Sequence, residues 1–302
     1  MQKLSQCPAC GSERFQRRYE GRTTRRPADP ARWQVDECAD CSHGFLNPQP
    51  DWADLEAYYS ADYPAYQSSH GTTASDEEVV AAAKASGTFR YLPLPTGKRV
   101  LDVGCGGGFF IRICALLGAQ VQGVEPNAVA ADRARLSGLN VFQGTLGDFI
   151  ASVGGETKFD VITASQVIEH VPEPATTLAQ MKSLLAPGGT IWLSMPNGDC
   201  RWAHRLKWRW DGADLPYHLM HFSPESIARA AERAGLKVRH SYTHSVPWIV
   251  AFTMTTALRH TWGIPPRLGR FFATDAKARR IGEELDAKNE GDTIIVELEP
   301  QP

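Results

Sequence analysis

The chain predicts an α/β fold: a doubly wound sheet of seven strands with a small cysteine-built module in front of it. Three observations carry that reading. Apolar, β-branched runs alternate with helix-like runs from residue 96 onward, the pattern of strands covered on both faces by helices. One such run, Val100-Leu101-Asp102-Val103, ends in the glycine-rich turn Gly104-Cys105-Gly106-Gly107-Gly108 and passes at once into the helix-like stretch Phe109–Leu117. Two C-x₂-C pairs, Cys7/Cys10 and Cys38/Cys41, stand near the N-terminus.

Residues 1–50 are read as a metal-stabilised module. Each C-x₂-C pair can place two thiolates on one ion, and four thiolates complete a closed tetrahedral site. Cys7, Cys10, Cys38 and Cys41 are therefore expected to hold one structural Zn²⁺, with Gly11 and Gly44 supplying the turns of a zinc ribbon. A closed four-sulfur site leaves no open position for catalysis, so this zinc folds the N-terminus. His43 is expected to stand by. Seven cysteines, an odd count, argue against a disulfide framework. Between the pairs lie Arg14, Arg17, Arg18, Arg22, Arg25 and Arg26. They either meet a phosphate backbone or anionic acceptor, or form a solvated hairpin balanced by Glu13, Glu20 and Asp29; the hairpin is the preferred reading.

Residues 51–95 are expected to connect and lid the next domain, with a short helix from Asp51, a polar loop and a helix near 76–91. Tyr58, Tyr59, Tyr63 and Tyr66 crowd this segment and are read first as packing a domain seam. In residues 96–302, strands are predicted near 98–103, 120–125, 140–143, 159–164 and 189–195, with helices near 107–117, 127–137 and 174–185. A helix from Ser223 to Ala234 opens with serine at the N-cap and Pro224 in the first turn, and Gly235 ends it. Strands near 236–243 and 292–299 close the sheet as an antiparallel pair at its edge. Two insertions interrupt the plan. Residues 198–222 carry Arg201-Trp202, Arg205, Lys207-Trp208-Arg209-Trp210 and the close pair His218 and His221. Residues 245–290 carry the apolar run Trp248–Met254, which covers the site, forms a homodimer face or rests on a lipid surface.

The glycine turn is where chemistry is expected. Glycine there lets a ligand approach backbone N–H groups that no Cβ shields. Glu125 closes the next apolar run, where an acidic side chain takes both hydroxyls of a ribose. Asp102, two residues before the first glycine, would repel a pyrophosphate but pairs with the ammonium of an amino acid. The pattern favours S-adenosylmethionine over a dinucleotide. At this point the chain resembles the class I S-adenosylmethionine-dependent methyltransferases, with their Rossmann-like sheet, here joined to an N-terminal zinc ribbon. The likeness continues through Phe159-Asp160-Val161-Ile162, Ile168-Glu169-His170-Val171, Leu184-Leu185-Ala186-Pro187-Gly188-Gly189-Thr190 and Met195-Pro196-Asn197, and spans roughly residues 85–300.

The resemblance implies a donor site built from Asp102, Gly104, Gly106, Gly108, Glu125 and Pro126. In it Thr145 and Leu146 flank the adenine, Asp148 meets its exocyclic amine, and Gln166 and Val167 lie under the sulfonium. One tyrosine of the connector is the alternative partner for the donor carboxylate. Histidine suits deprotonation of a hydroxyl because its pKa lies near neutrality. His170, on the loop after the fourth strand, and His218 and His221, on the 198–222 insertion, are the candidate bases, the last two ranked first. Buried structural histidines are the competing reading.

Net charge −2 and a pI near 6.5 give no global attraction to nucleic acid. No segment reads as a signal peptide or as a membrane span, so a cytoplasmic protein is expected. The reading is an enzyme that methylates a hydroxyl of a small molecule or sugar. The Trp/Arg/Lys insertion fits an acceptor that carries phosphate or nucleotide. Two rivals are an RNA methyltransferase gripping RNA through the zinc module and a non-catalytic nucleoside-binding partner subunit. Ala164-Ser165-Gln166 stands where an Asn-Pro-Pro-Tyr-like motif would serve base amines, and the intact Asp102/Glu125 pair opposes the second rival.

Overall fold

The structure is a computed structural model that describes residues 1–26, 28–59, 75–85, 92 and 94–302. Tyr63, Tyr66 and the end of the helix expected near 76–91 lie outside the described residues; that helix is seen over Asp76–Ala85. The N-terminal module is an antiparallel meander of β1 (Phe15–Gly21), β2 (Trp33–Cys38) and β3 (Gly44–Leu46). The main sheet uses β4 (Arg99–Val103), β5 (Gln120–Glu125), β6 (Val141–Gln143), β7 (Phe159–Ser165) and β8 (Leu185–Pro196). After the two-residue β9 (Met220–His221), β10 (Leu236–His244) and β11 (Thr293–Pro300) complete it.

Its seven strands run in the order β10-β11-β8-β7-β4-β5-β6. The five from β4 to β8 are parallel, and β11 pairs antiparallel with both β8 and β10. The strand order reverses at β4, so the carboxyl ends of β4 and β7 face a crevice where ligands bind in open α/β sheets. Leu101, Ile162, Ile191 and Leu193 are fully buried, as strands covered on both faces require.

Three local departures from expectation have physical causes. β8 begins four residues early because Leu185 already pairs with Phe159; the turn at Gly188 (φ +75°) then shifts the register before Thr190 meets Val161. Residues 146–153, where no helix was predicted, form one. Thr145 caps it through a reciprocal box, its hydroxyl accepting from the Asp148 N–H and its own N–H donating to the Asp148 carboxylate. The two insertions fold together. Trp202, Leu206 and Trp210 from the first share an apolar cluster with Val250, Met254, Ala278 and Leu285 from the second, making one helical cap.

The N-terminal cysteine module is not free-standing either. β9, inside the 198–222 insertion, adds a fourth strand to the meander, with Gly44 opposite His221 and Phe45 opposite Met220. The Arg233 guanidinium donates to the Pro8 carbonyl at 2.9 Å, and the Ser223 hydroxyl to the Cys41 carbonyl at 3.1 Å. The first 50 residues and the large sheet share one hydrophobic core.

Candidate functional site

A cleft of about 1830 Å³ opens at the carboxyl edge of the parallel strands. Ligand pockets commonly measure about 300–1,000 Å³, so this one has room for a donor and an acceptor together. All ten residues expected at the donor line it: Asp102, Gly104, Gly106, Gly108, Glu125, Pro126, Thr145, Leu146, Gln166 and Val167.

Three of the four glycines of the turn have a positive φ: +72° at Gly104, +53° at Gly106 and +82° at Gly108. A Cβ on Gly104 would sit 2.5 Å from the Val167 side chain, while one on Gly106 would meet nothing within 4 Å. The first glycine thus brings the turn against the loop after β7, and the second leaves backbone open to a ligand. Glu125 is fixed from both sides. Its Oε2 accepts the Gly106 N–H at 2.8 Å, and its Oε1 accepts the Asn127 N–H at 2.9 Å. Each oxygen keeps a second lone pair for a ligand hydroxyl. Burial raises its pKa, against the lowering effect of those two N–H groups.

Asp102 is buried, and its Oδ1 accepts the Thr163 hydroxyl at 2.7 Å. Burial pushes its pKa up to about 7, the Thr163 bond opposing and the Glu125 charge assisting. A buried carboxylate of this kind is the natural mate of a ligand ammonium. Gln166 holds φ +56°, a conformation costly for a residue with a side chain, and its N–H donates to the Ser194 carbonyl at 2.7 Å. Asp148 lies outside the lining. Its carboxylate caps the helix at Thr145, at 2.6 Å from that hydroxyl, so the expected contact with the adenine amine is corrected to a structural role.

The acceptor side is built from the loop after β7 and the first insertion. Carbonyls only accept, so the bonds of two histidines fix their tautomers. His170 Nδ1–H donates to the Tyr217 carbonyl at 2.8 Å, and His218 Nδ1–H donates to the Gly212 carbonyl at 2.9 Å. Both rings keep Nε2 as a bare lone pair, and their centroids are 4.7 Å apart. Both residues line the cleft. Burial lowers the pKa of each, His218 well below the ordinary value, so both are neutral at pH 7.

His221 is different. Its Nε2–H donates to the Ala213 carbonyl at 2.9 Å, the ring is buried in the β3–β9 seam, and it does not line the cleft. The reason is register: pairing β9 with β3 turns His221 toward Gly44. The ranking of His221 above His170 is corrected accordingly.

Sequence reasoning missed Asp214. Its carboxylate is clamped by Arg25 from the ribbon (Nε to Oδ1 2.7 Å, Nη2 to Oδ2 2.6 Å) and lies 3.9 Å from His218 Nε2. No local motif marks an aspartate whose partner sits nearly 190 residues away. Glu169 lies beneath the histidines with both oxygens unpartnered, and burial pushes its pKa up to about 8.

Tyr59 belongs here as well, its hydroxyl 3.2 Å from His170 Nδ1, while Tyr58 donates to Asp29 and packs edge-on against Trp33. Trp202 is buried in the cap, while Trp210 of the same insertion also lines the cleft. Four of the six arginines named between the cysteine pairs form ion pairs, Arg14 with Asp40, Arg17 with Asp36, Arg18 with Glu37 and Arg25 with Asp214, partners other than those expected.

The four N-terminal thiols converge. Cys7 and Cys41 sulfurs are 3.7 Å apart, Cys10 and Cys38 sulfurs 3.6 Å, and all four lie within 4.8 Å of one another. A tetrahedron with bonds of about 2.3 Å has edges of about 3.8 Å, so the donor set fits a zinc ion. His43 is not in the group. It is buried against Phe222 and Ser226.

Comparison with known proteins places this geometry. The ubiquinone biosynthesis O-methyltransferase of Pasteurella multocida is 43% identical over 115 residues, 34% of this chain and 48% of that protein. The protein of the same name from Thiobacillus denitrificans is 36% identical over 156 residues, 47% of this chain and 65% of that protein. The chain spans about half the length of the curated relatives it matches. Among solved structures, the [4+2]-cyclase SpnF superposes with a TM-score of 0.50 at 20% identity, over 84% of this chain and 98% of that one, a likeness of fold. No helix among the described residues is long and apolar enough to cross a membrane. A family model described as a methyltransferase domain matches residues 77–241, more than half of the chain, and the chain belongs to that family of S-adenosylmethionine-dependent methyltransferases.

Proposed function

We propose that the protein methylates a hydroxyl oxygen of a small molecule, sugars included. The observation that carries this reading is the pair of bare Nε2 atoms on His170 and His218 in the same cleft as the glycine turn and Glu125. The printed name of the relatives, O-methyltransferase, supports it. S-adenosylmethionine supplies a methyl group already activated as part of a sulfonium. Glu125 holds the ribose, Asp102 the ammonium, and Thr145 and Leu146 border the adenine, with Pro126, Gln166 and Val167 shaping the remaining wall. Positioning accounts for much of the rate of such a displacement. What the acceptor oxygen still needs is a base as it attacks. His218 takes that proton on Nε2, and Asp214 steadies the imidazolium that forms. His170 orients the hydroxyl and shields it from water together with Tyr59.

Cys7, Cys10, Cys38 and Cys41 hold one structural zinc ion in this account. The ribbon of residues 1–50 braces the acceptor wall through β9, residues 51–95 border the cleft at Trp52 and Tyr59, and residues 96–302 carry the chemistry.

The test is methyl transfer from labelled S-adenosylmethionine to a panel of hydroxyl compounds, amines and RNA. Hydroxyl compounds should accept label. General-base catalysis contributes about 10²–10⁴-fold, so His218→Ala should lower turnover by that order with donor affinity intact. Label on RNA or amines alone, or near-normal turnover in both His218→Ala and His170→Ala, would overturn the reading.

A further inference from the structure

The helix Pro247–Trp262 has two unlike faces. Val250, Thr253, Met254 and Ala257 are buried against the rest of the cap. The opposite face carries Trp248, Phe252, Arg259 and Trp262, which at about 100° per residue fall within an arc of about 80°. The two tryptophans and the phenylalanine are 66%, 69% and 52% exposed. The next helix, Pro266–Phe272, seats Gly269 on Thr255 in the middle of that face, where a Cβ would come within 2.9 Å of the threonine. It extends the same surface with exposed Leu268, Phe271 and Phe272. None of these side chains belongs to the buried cluster of the cap.

The charge of this surface is one-sided. Residues 245–274 contain no Asp or Glu, and Arg259, Arg267 and Arg270 stand among the aromatics. A second copy of the chain docking through a two-fold axis would bring the guanidiniums of both copies into one interface with no acidic residue from this segment to answer them. An anionic bilayer answers both features: indole and phenyl rings settle at the boundary of headgroups and acyl chains, and guanidiniums meet lipid phosphates. We propose that this face docks the protein peripherally on anionic lipid membranes. Trp248 and Ile249 also line the cleft, so the docked surface lies at its rim. That the membrane also delivers the hydroxyl acceptor rests on the function proposed above; the docking does not.

The experiment sediments the full chain with vesicles of mixed phosphatidylglycerol and phosphatidylcholine, and with phosphatidylcholine alone. The protein should pellet with the anionic vesicles, far less with the neutral ones, and less as salt rises. Arg259→Gln should weaken binding roughly fivefold, the factor matching about 1 kcal/mol for one basic residue at such a surface. Replacing Phe252, Trp262 and Phe271 together by serine should weaken it at least about tenfold, since exposed apolar side chains leave without disturbing the core. Binding of S-adenosylhomocysteine, measured on the same samples, reports separately on the fold and the donor site. No pelleting with anionic vesicles, pelleting unchanged by these substitutions, or a stable dimer in light scattering that the same substitutions dissolve would each overturn the proposal.

Discussion

Asp102 is the residue whose charge state ties donor binding to pH. Burial and the neighbouring Glu125 charge push its pKa up to about 7, against the hydrogen bond from Thr163. The folded pKa stands above the ordinary carboxylate value, so the folded chain holds this proton more tightly than the unfolded one. The stability this contributes is present at low pH and is lost as pH rises toward 7. A ligand ammonium reverses the balance by favouring the carboxylate. S-adenosylhomocysteine should therefore bind about tenfold more tightly at pH 8 than at pH 6, and Asp102→Asn should flatten most of that slope in calorimetry. A slope unchanged in the variant would contradict the pairing. The donor side was legible because strand, glycine turn and helix are contiguous, and the glycines themselves state where positive φ is needed. Asp148 was misread although its signal is local: Thr145-x-x-Asp148 is a capping pair. His221 and Asp214 had no such signal, since both depend on contacts with the ribbon more than 170 residues away.

The ribbon and the acceptor wall form one structural element. β9 pairs with β3, Arg25 clamps Asp214, and Ser223, which caps the helix Pro224–Arg233, donates to the Cys41 carbonyl. Metal analysis of protein purified without chelator should find one zinc per chain. Cys38→Ser should release it and loosen the ribbon, because structural zinc sites contribute folding energy directly. The damage should then run through β9 to His218. Turnover should fall, while S-adenosylhomocysteine affinity stays within about twofold, because the hydrogen bonds that fix Glu125 come from Gly106 and Asn127 and not from the ribbon. Zinc near zero in the wild type, or full turnover in the variant, would contradict this coupling. The cysteine spacing pointed to the four sulfurs that converge. It had no means of predicting that the fourth strand of the ribbon sheet would come from residues 220–221, a segment too short to show any periodicity.

At the scale of the molecule, ribbon, parallel sheet and helical cap surround one cleft, and one core joins the first two. The central strands β4, β7 and β8 were legible as apolar runs next to turn residues, and β10 and β11 were paired at the edge although the helices of the second insertion lie between them in the chain. The cap was not. Its two halves are separated by the helix Pro224–Arg233 and β10, and each reads alone as an irregular insertion until Trp202 and Trp210 meet Val250 and Met254. The account as a whole stands on the donor site, and Glu125 is its most exposed claim. Calorimetry with S-adenosylhomocysteine should show one site per chain. Removing a charged hydrogen-bond acceptor costs about 1.5–3 kcal/mol, so Glu125→Ala should weaken that binding roughly ten- to a hundredfold. No heat of binding in the wild-type protein, or a dissociation constant unchanged by the substitution, would contradict the account.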